Sequence, residues 1–387
     1  MTNDQVIPLK TDYGETRRQL EYHFPKEKDQ IKDFFSLFEK PIFFSLYNKL
    51  KNRSFKELLD EYFLDERLKN FWFAMCSSFG LIPSKLDAIA AFSYCRAFIM
   101  DSGYYPIGGM QSFSNAFLDT YKSFDGSIIL SKKVSKIDLK DRGVVSINVA
   151  KGISFSTNHV VSTCDPIQTY FMLIGKEHHN LNFIHRISNI APSPSPFIVF
   201  LGLNRPLERN RRRGLATLYY AESLPENRYD VINHFNPSLK NMVFVPSSVN
   251  DPSLAPKDGE SIFFFKFTPY RSKKYWDNNK FLVAEKMIED AEYMIPNLRS
   301  YIAHKEIAVP HTLYKYTLNY KGASKGWGSV FSTTGLKMMD FSCQIKGLFV
   351  AGHWAPSPVG NGGISMDAYS GFQTAKQIKH VFKNKTI

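Results

Sequence analysis

The fold of this chain is decided by residues 347–371, G-L-F-V-A-G-H-W-A-P-S-P-V-G-N-G-G-I-S-M-D-A-Y-S-G. The apolar run that ends at Gly352 predicts a buried strand, and the glycine-rich loop after it cannot shield its own backbone. The loop leads into a predicted helix over residues 364–382. Because the first N–H groups of a helix are free and its dipole is positive there, this helix start favours an anion or an electron-rich carbonyl edge.

The rest of the chain has the length and composition of a folded protein with a large core. It has 387 residues, of which 43% are hydrophobic and 15% aromatic, including 33 Phe and 20 Tyr. Such a length predicts two domains or one large interleaved unit. The sequence has neither the features of a signal peptide nor a run of about 18 apolar residues, so we expect no spanning helix and a cytoplasmic location.

Charged, cysteine and histidine residues argue against several kinds of site. The formal charge is +13, but basic residues are spread along the chain, and the densest cluster, residues 209–213, lies in a predicted polar loop. We interpret it as a solvated loop first and a lipid-headgroup contact second, and we expect no nucleic-acid partner because no such motif accompanies it. The cysteines lack metal-ligand spacing, and His178, His179 and His185 are interpreted as surface residues, so no metal site is predicted.

Hydrophobic periodicity predicts helices first and two groups of strands later. The opening third is mainly helical, over residues 15–50, 55–68 and 86–100. After a Pro/Gly turn at residues 103–110, a helix with Phe113, Phe117 and Tyr121 on one face precedes a predicted antiparallel meander. Its five strands are expected at 127–130, 134–139, 144–149, 153–156 and 159–162. Strands at 197–202, 242–245 and 261–267 predict a second sheet, followed by a helix that Pro296 closes.

Four segments carry a resemblance to a known family. They are Tyr105-Pro106-Ile107-Gly108-Gly109-Met110, Val160-Val161-Ser162-Thr163, Asp251-Pro252-Ser253-Leu254-Ala255-Pro256, and Gly326-Trp327-Gly328 together with the C-terminal segment. In this order they resemble Y-P-x-G-G-M, V-V-S-N, D-P-S-L-A-P and the closing flavin region of phytoene desaturases, carotenoid isomerases and retinol saturases. These enzymes form a branch of the flavin amine-oxidase-like superfamily.

The resemblance implies an FAD-dependent oxidoreductase, a flavoprotein that acts on a long apolar polyene or isoprenoid such as a carotenoid. Resembling enzymes desaturate, saturate or isomerise such chains by hydride transfer with the flavin. They dock on membranes to collect substrate, so the resemblance also implies a peripheral contact on the inner face of the membrane.

By resemblance, eight residues contact the cofactor. Pro106, Gly108 and Gly109 are expected beside the flavin, Gly352 and His353 near the pyrophosphate and ribityl chain, and Gly362, Gly363 and Ile364 at the isoalloxazine edge. His353 departs from the family, in which an acidic residue is usual at this position. No catalytic side chain is assigned, because hydride transfer needs little acid or base from the protein.

The resemblance further implies a mixed α/β (α+β) fold, in which an incomplete Rossmann-like FAD/NAD(P)-binding domain is interleaved with a sheet-plus-helices substrate domain. The predicted segments are 1–102 (helical part of the substrate domain), 103–170 (FAD domain), 171–320 (sheet part of the substrate domain) and 321–387 (C-terminal FAD-binding segment).

Resembling chains begin with a βαβ unit whose G-x-G-x-x-G motif holds the ADP half of FAD, and this motif does not occur in the sequence. Three explanations stay open: a partner chain from a split gene carries the unit, the start is truncated, or the chain is a non-catalytic relative or partner subunit that binds an apolar ligand or protein. Whether the chain is an enzyme on its own is open for the same reason. Without the unit, the chain is expected to expose sheet edge and apolar surface.

Overall fold

The structure is a computed structural model that describes residues 7, 9, 12–39, 44–101, 103–150, 152–207, 217–219, 242–329, 345–355 and 363–383. Its helices are α1 (Tyr13–His23), α2 (Lys28–Glu39), α3 (Phe44–Leu50), α4 (Phe55–Tyr62), α5 (Glu66–Met75), α6 (Ala88–Met100), α7 (Gly109–Ser123), α8 (Leu181–Asn189), α9 (Ser247–Asn250), α10 (Lys273–Glu292), α11 (Leu298–Tyr301), α12 (Pro310–Thr317) and α13 (Ile364–Lys383). Its strands are β1 (Val134–Lys140), β2 (Gly143–Val149), β3 (Ile153–Ser156), β4 (Val160–Ser162), β5 (Ser195–Leu203), β6 (Thr217–Tyr219), β7 (Met242–Val245), β8 (Glu260–Thr268), β9 (Ile302–Ala308) and β10 (Leu348–Val350). The mixed α/β class is confirmed, while Gly362 and the basic cluster lie outside the described residues.

The opening part of the chain is helical as predicted, but the predicted helical region 15–50 is divided between α1, α2 and α3. Helix α1 ends before Pro25, because a proline pushes the preceding residue, here Phe24 at φ −129° and ψ 63°, out of helical geometry. Helix α4 begins with a capping box in which Ser54 and Glu57 satisfy each other's backbone N–H groups. Predicted helical residues such as Phe34 pack against Trp72, with ring centroids 4.9 Å apart.

The chain forms two compact units, each assembled from two separate segments. Unit 1 consists of Met1–Ser127 and Ser195–His311, and unit 2 consists of Ile128–Pro194 and Thr312–Ile387. Neither unit is therefore continuous along the chain.

Unit 1 contains a five-stranded antiparallel sheet with the order β6-β7-β8-β5-β9. Alternate residues of β5, including Phe197 and Val199, point into one core with Phe264 of β8, as the two-residue period of a strand requires. Helix α10 covers this face of the sheet with residues that include Met287 and Ile288. The predicted strands at 197–202, 242–245 and 261–267 and the helix after them are confirmed.

Unit 2 contains a smaller meander than the sequence predicts. Strands β1, β2 and β3 form it, each antiparallel to the next. The predicted strand at 127–130 is wrong, because these residues pair with no strand of the described chain and Leu130 is 73% exposed. Strand β4 does not continue the meander either. It pairs in parallel with β10, and Val160 lies opposite Leu348.

One histidine of unit 2 contradicts the prediction that His178, His179 and His185 are all surface residues. His179 is buried, its Nε2 lies 3.1 Å from the carbonyl oxygen of Tyr170, and its ring stacks on Phe183 at 4.9 Å. Adjacent His178 stays exposed. His179 is therefore a core residue. Its ring packs against apolar neighbours, and the backbone carbonyl of Tyr170 accepts a hydrogen bond from its Nε2.

Candidate functional site

The Gly108–Gly109 turn of unit 1 has a backbone that favours glycine. The carbonyl of Pro106 accepts a hydrogen bond of 3.0 Å from the N–H of Gly109, and α7 begins there. Gly108 and Gly109 have φ angles of 81° and 78°, in the left-handed region that side chains disfavour. A Cβ on Gly109 would also approach Leu254 to 3.2 Å. The first predicted glycine motif is thus a tight turn with little room for side chains.

The Asp251–Pro256 segment supports this turn directly. The side chain of Asp251 accepts a hydrogen bond from the backbone N–H of Gly108, and its other oxygen accepts from the N–H and hydroxyl of Ser253 at 3.1 and 2.6 Å. The hydroxyl of Ser253 and the N–H of Gly108 hold the pKa of Asp251 below its ordinary value. Two of the four resemblance motifs therefore form one structure within unit 1.

In unit 2, the two parallel strands end side by side. The N–H of Ala351 donates to the carbonyl of Ser162 at 3.0 Å, which continues the pairing of β4 and β10 by one residue. Gly352 follows with φ 85°, and a Cβ there would lie 3.6 Å from that of Thr163. In parallel sheets, ligands bind outside the carboxyl ends of the strands, so this end of the pair is a candidate binding edge.

Helix α13 packs its polar stripe against the same edge. The hydroxyl of Ser370 accepts from the N–H of Gly352 at 2.8 Å, and the hydroxyl of Thr374 donates to the carbonyl of Val350 at 3.1 Å. The helix starts after Gly363, which has φ 86°, and Ile364 is half exposed. The predicted order of strand, glycine and helix start is therefore present in the described residues on either side of the segment 356–362.

His353 is held in one protonation state by a network around Asn319. The indole N–H of Trp354 donates to Oδ1 of Asn319 at 2.9 Å, so the amide nitrogen of Asn319 must face its other partners. That nitrogen lies 3.0 Å from the carbonyl of Ala323 and 3.2 Å from Nε2 of His353. Nε2 of His353 consequently accepts, and the ring is neutral with its proton on Nδ1. Burial lowers the pKa of His353, which favours the same neutral form.

The eight predicted cofactor residues divide between the two units. Pro106, Gly108 and Gly109 lie in unit 1, Gly352, His353, Gly363 and Ile364 lie in unit 2, and Gly362 is outside the described residues. Sequence reasoning missed the roles of Asp251 and Asn319. Asp251 stands inside a quoted motif, which was a usable signal, whereas nothing in the sequence singled out Asn319.

Comparison with known proteins gives a family and a fold. The family described as flavin containing amine oxidoreductase matches residues 28–258, more than half of the chain. A phytoene desaturase (lycopene-forming) of Pseudescherichia vulneris is 24% identical over 220 residues, 54% of this chain and 42% of that protein. A 4,4'-diaponeurosporene oxygenase of Staphylococcus aureus (strain MW2) is 23% identical over 301 residues, 76% of this chain and 59% of that protein. The chain therefore spans about half the length of these relatives.

A solved structure of putrescine oxidase with putrescine bound has a similar fold. It matches with a TM-score of 0.63 and 14% identity, and the match covers 92% of this chain and 76% of that one. At this identity the likeness concerns the fold alone.

Proposed function

The chain belongs to the flavin containing amine oxidoreductase family, and on that premise we propose that it is an FAD-dependent oxidoreductase of the phytoene desaturase type. Its substrate is a long apolar polyene or isoprenoid, whose C–H bond exchanges a hydride with the flavin. The low-identity relatives that act on carotenoids support this choice of substrate class.

The contact between Asp251 and the Gly108–Gly109 turn carries the proposal. The flat ring of a flavin needs close approach to the protein backbone. The two glycines of the turn offer backbone without side chains, and Leu254 fills the space that a side chain on Gly109 would need. Once bound, the flavin supplies the hydride chemistry that side chains do not provide. The protein's own contribution is to bind and orient: Asp251 fixes the turn, and the end of β10 presents Gly352 and His353.

The proposal includes a dinucleotide-binding unit with a G-x-G-x-x-G motif, carried by a partner chain. The exposed apolar face of α7 supports such a partner, since Phe117 is 62% and Tyr121 53% exposed in a helix whose charged residues are few. An apolar face of this kind is a usual place for another protein surface to pack. The membrane contact and the cytoplasmic location stay predictions from the sequence. Within the described ranges, no helix has the length and apolar character needed to cross a bilayer.

Purification of the chain with and without a G-x-G-x-x-G partner tests the proposal. We expect a yellow complex with nearly one flavin for each pair of chains, measured by flavin absorbance after removal of free cofactor. A chain that stays colourless with its partner and added FAD would contradict the flavoprotein proposal. That result would instead favour a silent partner subunit that binds an apolar ligand or protein.

Replacement of Asp251 tests whether the turn must be held. Asp251→Ala is expected to weaken flavin binding by about ten- to a hundredfold, because losing a hydrogen bond to a charged group costs affinity of that order and the turn is no longer held without it. Asp251→Asn keeps an acceptor and should lose less. Titration of flavin fluorescence measures both variants, with exposed Asp119→Ala as the control on α7.

The pKa of Asp251 also predicts a pH dependence. Because its folded-state pKa lies below 3.8, the carboxylate stabilises the turn above that value and the stabilisation is lost as the pH falls through the folded-state pKa. Flavin affinity that is equal in the two Asp251 variants and the wild type would contradict a role for this contact.

A further inference from the structure

Two buried cysteines of unit 1 lie in contact with each other. Sγ of Cys76 is 3.5 Å from Sγ of Cys95, and the two residues are 2% and 0% exposed. Cys76 begins the 3₁₀ turn Cys76–Phe79 that follows α5, whereas Cys95 lies within α6. They are 19 positions apart in the sequence, so the fold brings the two thiols together.

The turn that carries Cys76 is held in place from two sides. The hydroxyl of Tyr94 on α6 is hydrogen-bonded to Ser78 of the turn, and the ring of Tyr94 packs edge-on against Phe79 at 5.2 Å. Burial raises the pKa of Tyr94 to about 12, because little water reaches this contact. On β8, Phe267 lies so close that an added Cβ on Gly80 would be 2.5 Å from its Cγ.

The contact between the two sulfurs is close to the geometry of a disulfide. A disulfide bond is about 2.05 Å long, so the sulfurs have to approach by roughly 1.5 Å, which rotation about the two Cα–Cβ bonds supplies. Within the described ranges, no group of three or more histidine, cysteine, aspartate or glutamate residues is placed to hold a metal ion. The chemistry that this arrangement offers is therefore a reaction between two thiols.

We propose that Cys76 and Cys95 form a redox pair that hydrogen peroxide converts to a disulfide. The peroxide is small enough to reach buried thiols when the structure opens locally. The sulfur of one cysteine, as its thiolate, attacks the peroxide: a sulfur–oxygen bond forms, the oxygen–oxygen bond breaks and one water leaves. The second sulfur then attacks the first: the sulfur–sulfur bond forms, the sulfur–oxygen bond breaks and a second water leaves.

The electrons and protons of this reaction balance. Two electrons pass from the two sulfurs to the peroxide, and the two thiol protons end in the two waters. A reducing thiol reverses the step by thiol–disulfide exchange. The pair therefore responds to the balance of oxidant and reductant around the protein, independently of any flavin.

The disulfide ties the turn Cys76–Phe79 to α6. A cross-link of this kind restricts the unfolded chain more than the folded one, because the two sulfurs are already neighbours in the fold. We expect the oxidised protein to have a melting temperature roughly 5 °C higher than the reduced protein. The helical part of unit 1 is thus more resistant to unfolding under oxidising conditions.

A full-length variant that keeps only this pair of cysteines tests the proposal. Cys164→Ser removes an exposed cysteine, and Cys343→Ser removes one that lies outside the described residues. After treatment with hydrogen peroxide, we expect the mass of the chain to fall by two hydrogen atoms and a tryptic digest to contain Cys76 linked to Cys95. The melting temperature should rise at the same time, and dithiothreitol should reverse all three changes. Oxidation of methionine is not reversed in this way.

Cys95→Ala in the same background is the matched control, because Cys76 then has no second thiol to react with. Its melting temperature should not rise with peroxide. The linked peptide is also sought in the wild-type chain, so the test does not depend on the folding of the variants. The proposal is overturned if the two cysteines stay unlinked after the peroxide has oxidised exposed Cys164, or if Cys95→Ala shows the same rise in melting temperature.

Discussion

Gly326→Ala is expected to unfold unit 2 or to lower its thermal midpoint by roughly 10 °C, which corresponds to more than about 3 kcal/mol. A Cβ on Gly326 would lie 1.9 Å from the carbonyl oxygen of His353, a backbone atom that cannot turn aside. The residue also has φ 70°, which an alanine disfavours. Neighbouring Trp327 donates to the carbonyl of Trp354 at 3.0 Å, so a shift at residue 326 disturbs the buried aromatic pair as well.

Gly152→Ala is the matched control for this effect. Gly152 has φ 75° and nothing lies within 4 Å of an added Cβ, so its replacement carries the backbone strain without the collision. We expect Gly152→Ala to lower the free energy of unfolding by about 1 kcal/mol, measured by circular dichroism during heating. If Gly326→Ala and Gly152→Ala lower the free energy of unfolding by similar amounts, the close approach of Gly326 to His353 contributes little to stability.

Asp290→Ala is expected to destabilise unit 1 by about 3–5 kcal/mol, because it leaves a buried cation without its carboxylate. Lys266 of β8 and Asp290 of α10 are both buried, and Nζ lies 3.1 Å from Oδ2. Burial lowers the pKa of Lys266, and Asp290 opposes that effect. The loss of stability should become smaller as the pH rises toward 10.5. In that range Lys266 binds more protons in the unfolded state than in the folded state, so the free energy of unfolding increases with pH.

Two variants make this result specific. Asp277→Ala removes the exposed partner of Lys273 on the same helix, a pair with 52% of the Asp277 side chain in solvent, and should cost less than about 1 kcal/mol. Replacement of both buried partners, Lys266→Met with Asp290→Leu, should recover most of the stability. Urea unfolding measures all three, and a small loss for Asp290→Ala at neutral pH would contradict the assignment.

Local features of the sequence predicted local structure well. The spacing of apolar residues in α10 and the alternation of apolar and other residues in β5 and β8 indicate which face is buried. These patterns can be recognised within a few consecutive residues. The same is true of the glycines at 108, 109 and 352, whose positive φ angles match the predicted turns.

Pairings over long distances could not be predicted in this way. Strand β4 carries the same residue types whether it continues a meander or joins β10, so its period does not identify its partner. The contact of Asp251 with Gly108 and that of Asn319 with His353 depend on the tertiary fold for the same reason. The candidate site was thus predictable as a set of glycines, but not as the polar side chains that hold them.

The pairing of β4 with β10 sets the order of events during synthesis. Val160 is synthesised well before its partner Leu348, which lies almost half of the 387 residues further along the chain. At the usual pace of about 5–20 residues per second, β4 waits for many seconds with its backbone unpaired. Unit 2 therefore completes this strand pair only after Leu348 has been synthesised, and we expect closure of the long loop between the two strands to be a slow step of its folding.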